Sequence, residues 1–281
     1  MATDDRLSFV QFPHPGREHS LATGLEWSAF PDHYRRFMVQ PGVALDKDEV
    51  VRANLCFWGE WEAGATSSVP LIADRAGMPT HIFEPAIRDK MPTGFIQNTA
   101  PLVFGRSFFY TNCKQRGDGK LKHLAHQSLI LFGSRVNKKF CLDTVFVVAD
   151  SRWYHPDQAT QSPFSFATEL LTNVTIEPIS RANGDRRLRA YRGLRHDETA
   201  ATFSFVPCST LDKHPHGFSR PSIHLPDPAT GEDLIKHGMT QSYRSVVSSV
   251  DGIERLWTSV VDQVRDQGLM LGISLAEPVP V

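Results

Sequence analysis

The sequence predicts an α+β protein built on a curved or barrel-like sheet, with one long helix near the C-terminus. Strand-like segments follow one another through most of the chain, and the strongest helical periodicity comes late, an order that argues against an alternating doubly wound fold. At 281 residues and 41% hydrophobic, the chain can bury a substantial core, and it reads as a single globular domain over 1–281.

The strand candidates are 6–12, 51–63, 79–87, 101–110, 126–134, 139–149, 173–180, 186–193, 201–207 and 269–276, where β-branched and aromatic residues alternate or run together between Pro, Gly or Asn. Asn183-Gly184 reads as a hairpin turn joining two of them. Short helices are expected over 31–39 and 162–171. The clearest helix is 250–267, with Val250, Ile253, Leu256, Val260, Val261 and Val264 on one stripe and Gly268 as its stop. The segment 226–233 is the best candidate for a linker.

A formal charge of -1 excludes a protein that coats nucleic acid by bulk electrostatics but leaves room for local basic surfaces. Arg181, Arg186, Arg187, Arg189, Arg192 and Arg195 surround Tyr191. Strand periodicity puts Arg187, Arg189 and Tyr191 on one face, a surface for phosphates with a ring for stacking, or a solvated edge that blocks aggregation. No apolar run spans a membrane and the N-terminus lacks signal-peptide character, so a cytoplasmic location is expected. The cysteines Cys56, Cys113, Cys141 and Cys208 are far apart with no CxxC, and are read as reduced thiols.

Four stretches carry candidate chemistry. In "QFPHPGREHS" a tight loop holds His14, Glu18 and His19, either a surface loop or a source of ligands. In "CFWGEWE" extended geometry sets Trp58 beside Glu60 and Glu62, which suits a stacking wall for a flat base next to an acid-base carboxylate; the plainer reading is a core tryptophan with solvent-facing glutamates. In "SFFYTNCKQ" Cys113 follows a strand, Lys114 should favour its thiolate, and Asn112 and Gln115 offer amide donors to a developing anion. Cys141, in an apolar strand, reads as structural. In "PCSTLDKHPHGF" Cys208, His214 and His216 give a poor zinc spacing. No cofactor is favoured; the metal alternative is zinc on His14, His19, Cys208, His214 and His216.

The segment "ILFGSRVNKKFCLDTVFVVAD" resembles the core hairpin of PUA-like domains of the EVE and ASCH type. That resemblance implies a PUA-like core over about 50–150, a small barrel whose mouth receives a nucleobase. "FWGEWE", "FFYTNCKQ" and "LDTVFVV" together resemble proteins of DNA base modification, including the component of 7-deazaguanine clusters that converts a nitrile-bearing base to its amide. It implies a cysteine-dependent hydrolase or hydratase-type enzyme acting on a base in DNA more than RNA, alongside other base-modification proteins. Catalysis would fall to Cys113, Glu60 and His14. Substrate binding would fall to Trp58, Gln115, Asn112, Arg187 and Arg189. The alternatives are a non-catalytic reader of modified nucleic acid and a metal-dependent hydrolase.

Overall fold

The computed structural model describes residues 5–15, 18, 24–28, 33–47, 49–73, 76–88, 91–92, 94, 96–116, 119–159, 164–183, 187–227 and 230–281. The strands are β1 (Ser8–Pro15), β2 (Arg36–Asp46), β3 (Glu49–Gly59), β4 (Ala65–Pro70), β5 (His81–Pro85), β6 (Phe109–Tyr110), β7 (Leu129–Val136), β8 (Lys139–Tyr154), β9 (Leu188–Gly193), β10 (Val206–Ser209), β11 (Tyr243–Val246) and β12 (Met270–Leu275). The helices are α1 (Pro156–Ala159), α2 (Glu169–Leu171), which runs through a π turn at Thr172–Ile176 into α3 (Glu177–Asn183), and α4 (Val250–Asp266). No helix among the described residues is long and apolar enough to cross a membrane.

Two mixed six-stranded sheets result, ordered β11-β1-β7-β8-β9-β6 and β12-β10-β3-β2-β5-β4. In the second, β12 also pairs with β2, so β2, β3, β10 and β12 close a ring, though not a barrel. The β-rich α+β class and the long C-terminal helix are thus as the sequence predicts. Strands between residues 50 and 150 are divided between the two sheets rather than gathered into one small unit.

Period-2 geometry explains how β1 serves two cores. Val10 and Phe12 face one apolar cluster and Phe9 the other, so His14 falls in line with Val10 and Phe12. In β8 the pairing with β7 shifts at Phe132/Gly133, and Asp143 is the extra residue of a bulge. The bulge switches the parity: Phe140 and Leu142 face the second cluster before it, and Val145 and Val147 face the same cluster after it. Gly133 makes room, because a Cβ there would lie 2.2 Å from the Cys141 carbonyl oxygen. The helix α4 is capped by Ser249, whose side chain accepts from Gly252 N–H, and buries Ile253, Trp257, Val260, Val261 and Val264.

Several expected elements differ. The segment 31–39 is not a helix in its described part: Arg36 onward belongs to β2, whose eleven residues pair along β3 from Arg36↔Gly59 to Asp46↔Glu49. The stripe in "YRRFMV" is a strand with Phe37 and Met38 facing opposite cores. The segment 173–180 is helical, because burying Val174, Thr175 and Ile176 together outweighs their β propensity. Asn183 therefore ends a helix, and Gly184 lies outside the described residues. Within 101–110 only Phe109–Tyr110 is a strand. In 162–171 the described α-helix is Glu169–Leu171. The segment 226–233 closes on itself, Asp227 N–H donating to Glu232 O, rather than linking domains.

Candidate active site

His14, at the end of β1, meets Cys113, in the loop after β6. The imidazole Nε2 lies 3.1 Å from Cys113 Sγ, and Nδ1 lies 3.1 Å from Glu60 Oε2. A carboxylate only accepts, so Nδ1 carries the proton and Nε2 accepts from the thiol. Thiol, imidazole and carboxylate stand in line, the arrangement that lets a cysteine lose its proton as it attacks.

The loop is held firmly. Asn112 and Lys114, on either side of Cys113, have φ of 62° and 58°, the left-handed region that few non-glycine residues occupy and that clusters at functional sites. Asn112 Nδ2 donates to Thr175 O at 2.9 Å, in the π turn, and its Oδ1 accepts from Tyr154 OH at 2.9 Å. Gln115 Nε2 donates to Arg189 O at 2.8 Å while Arg189 N–H donates to Gln115 Oε1 at 2.9 Å, so the side chain pairs with β9 as another strand would. Lys114 Nζ donates to Pro13 O at 2.9 Å and Thr240 O at 3.0 Å, stapling the loop to the residue before His14. The His14 ring sits edge-on to Phe12 at 4.8 Å and over Phe132 at 6.2 Å.

Behind the triad lies a buried ionic network. Arg35 Nη1 donates to Glu60 Oε2 at 2.6 Å, and its Nε lies 3.2 Å from both Ser134 Oγ and Asp143 Oδ2. Ser134 donates a short hydrogen bond to Asp143. Arg220 Nε is 3.7 Å from Asp143 Oδ1, and the Arg220 guanidinium lies 4.0 Å over the Trp58 ring. Beyond Glu60, Glu62 Oε1 pairs with His33 Nδ1 at 2.6 Å, and Arg36 lies near enough to Glu62 to interact with it. Arg35, Arg36 and Arg220 are grouped with Glu60, Glu62 and Asp143, and all six side chains are buried.

Burial sets the protonation states. It holds His14 well below its ordinary 6.5, Arg35 and Lys114 adding in the same direction. It pushes the Cys113 thiol far up, Glu60 adding, with Lys114 and Arg35 opposing more weakly. At rest the pair is therefore neutral thiol and neutral imidazole: Lys114 does favour the thiolate, but burial outweighs it. Cys113 as a residue is nonetheless partly exposed.

The expected substrate-binding residues are placed differently. Asn112 and Gln115 each commit one amide N–H and the amide oxygen to the scaffold. Trp58 is 3% exposed, its indole N–H donates to Phe218 O at 2.7 Å, and one face is covered by Arg220. Because β3 ends at Gly59, Glu60 and Glu62 turn inward instead of following Trp58 along an extended face, and neither faces solvent. Arg189 is buried, paired with Asp5 at 2.7 Å and bonded to Ser151 at 2.6 Å; Tyr191 is wholly buried. Arg187 remains exposed, its guanidinium 4.7 Å over Trp153.

The zinc alternative is not assembled among the described residues. Cys208 is buried between β3 and β12, His214 is 2.7 Å from Ser209 Oγ, and His216 is exposed; His19 lies outside the described residues. Among the described residues the His/Cys/Asp/Glu group whose ligand atoms lie within 4.8 Å of one another is His33, Glu60 and Glu62, in which Arg35 already pairs with Glu60 and His33 with Glu62.

Sequence reasoning missed Arg35, Asp143, Ser134 and His33. Asp143 had a signal, a lone acid inside the apolar run "CLDTVFVV", where an unpaired charge would be prohibitive. Arg35 was hidden by the helical reading of its segment. Searches of protein-family models, curated proteins and solved structures find no significant match to this chain.

Proposed function

We propose that this protein is an enzyme that uses Cys113 as a nucleophile toward an electrophilic carbon, and that its substrate is a nitrile-bearing nucleobase converted to the amide. The observation that carries the reaction class is the continuous contact of Cys113 Sγ with His14 Nε2 and of His14 Nδ1 with Glu60, both at 3.1 Å. The base-modification substrate is supported by where three stretches meet: "FWGEWE" brings Glu60, "FFYTNCKQ" brings Cys113 and "LDTVFVV" brings Asp143 into one connected site.

The chemistry balances without a cofactor. As sulfur bonds to the nitrile carbon, the thiol proton passes to His14 Nε2 and then to the nitrile nitrogen, leaving a thioimidate. Water adds to the same carbon, one of its protons passing through His14 to nitrogen. The C–S bond then breaks, the carbonyl forms, and the remaining hydroxyl proton returns to sulfur. The net change is the addition of one water to the nitrile. Glu60 holds the imidazole in the required tautomer and offsets its charge while it is protonated. The exposed Arg187 is the phosphate contact this reading retains. A non-catalytic reader would need Trp58 and Arg189, and both are occupied within the fold.

The test is incubation with a 7-deazaguanine nitrile as base, nucleoside and DNA, with mass spectrometry of the product. Gain of one water, absent in Cys113→Ala and His14→Gln, supports the reading. No conversion of any of the three substrates by a well-folded wild-type chain overturns it.

A further inference from the structure

We infer that a ring-lined cavity at the end of β8 holds the base of a nucleotide flanking the target base in a single strand, with Arg187 taking its phosphate. This rests on the reading of the substrate as a base carried in nucleic acid.

The cavity has a volume of about 370 Å³, and four of its lining residues are rings, Trp153, Tyr154, His155 and Phe164. That volume lies within the roughly 300–1,000 Å³ common to ligand sites. Successive residues of a strand ordinarily face opposite sides, yet Trp153 and Tyr154 both line this cavity, because β8 ends at Tyr154 and the chain turns at His155 into α1. Trp153, His155 and Phe164 are half-buried, so part of their aromatic surface is not taken up by the core.

Charge narrows the occupant. Arg187 also lines the cavity, is exposed, and makes no ion pair among the described residues; its guanidinium lies 4.7 Å from the Trp153 ring centre. Arg189 beside it is already neutralised by Asp5. No aspartate or glutamate lines the cavity, and Asp157, on α1, is exposed and outside the lining. A neutral ring would leave the cation unmatched, and a bare phosphate would leave the rings unmatched. A nucleotide meets both, its base stacking on the rings while its phosphate faces the guanidinium.

Tyr154 ties this cavity to the Cys113 loop. Its OH donates to Asn112 Oδ1 at 2.9 Å and lies 2.6 Å from Thr111 Oγ1, and Asn112 adjoins Cys113. One side chain thus borders both places, which makes the occupant a neighbour of the reacting base and not that base itself. Every base has a π-face, so the subsite adds affinity for the strand without choosing the neighbour's identity.

The experiment measures binding to the full chain and needs no turnover. The probes are a short single-stranded oligothymidylate carrying one 2-aminopurine, whose emission falls when it stacks, and 2-aminopurine deoxyriboside with and without its 5′-phosphate. The strand should be quenched saturably, and Trp153→Leu and Phe164→Leu should each weaken it by about fivefold or more. The monophosphate should bind about threefold or more tighter than the nucleoside, and Arg187→Ala, at an exposed position, should remove that difference. Absence of saturable quenching by the wild-type chain overturns the assignment, as does a strand affinity that both ring variants leave unchanged. Binding of the monophosphate but not of the strand also overturns it. Nitrile hydration without quenching of the strand would sink this inference alone, whereas ring-dependent quenching without hydration of any nitrile would sink the proposed reaction alone.

Discussion

His14 Nε2 and Cys113 Sγ, 99 residues apart in the chain, lie 3.1 Å from each other. The contact is built by two unrelated devices: the strand alternation that puts His14 on the Phe12 face of β1, and the loop after β6 pinned by Asn112, Lys114 and Gln115. Lys114 joins them, since its ammonium donates to the carbonyl of Pro13. Its role at the site is mechanical at least as much as electrostatic.

Because His14 is held below 6.5, it stays neutral and able to accept a proton in mildly acidic solution. Alkylation of Cys113 by iodoacetamide should keep its rate from neutral pH through 6.5 and fall only below it, where the imidazole finally protonates. His14→Gln should slow the reaction by about 100-fold while leaving Cys141 unchanged. An acid limb centred above 6.5, or an unaffected His14→Gln rate, would show that sulfur loses its proton to some other group.

Gln115 provides a sharper check on the loop. Its replacement by Ala strands the N–H and C=O of Arg189 in a buried position, and the cost should be about 2 kcal/mol or more in urea unfolding. Activity should fall with it, because the same side chain positions the Cys113 loop. A Gln115→Ala chain of wild-type stability with a selective loss of kcat would restore Gln115 to the role of oxyanion donor.

The parts of the site legible in sequence were those whose local neighbours differ from ordinary packing: a cysteine between an aromatic run and a turn, a histidine in a proline-rich strand end, paired glutamates beside tryptophans. Their roles depended less on context than those of their neighbours. Asn112 and Gln115 have the same amide chemistry whether they face a substrate or a strand edge, and only the position of β9 and the π turn decides. Arg35 was illegible for a related reason. Its significance comes from Ser134, Asp143 and Glu60, which reach it from β7, β8 and the end of β3, and no spacing along the chain encodes that convergence. At the level of fold, alternation found most strands, but buried β-branched residues at 173–180 joined a helix once tertiary burial outweighed propensity.

The arginine cluster on β9 should divide in solution. Arg189 is neutralised by Asp5 and buried, so it has no charge to offer a phosphate. If nucleic acid binds, Arg187→Ala should weaken it and lower the salt slope by about one unit, and Arg189→Ala should instead lower thermal stability. A double variant whose slope drops by about two units would mean that Arg189 leaves Asp5 to reach the ligand.

Glu62 is expected to shape stability against pH. Burial raises its carboxyl from 4.5 to about 8, outweighing the opposing hydrogen bond from His33, while that hydrogen bond raises His33 above 6.5. As a coupled pair the two hold protons more tightly in the folded chain than in the unfolded one. Between 4.5 and about 8 the folded state therefore binds more protons, and by linkage the stability these two groups contribute falls as pH rises. Glu62→Gln removes the carboxyl and, with it, the cause of the His33 shift. The Tm of wild type minus that of Glu62→Gln should consequently decrease steadily from pH 4.5 upward and level off beyond about 8. A difference that is flat, or that grows with pH, would mean that Glu62 is ionised throughout, with Arg36 and His33 together meeting its charge.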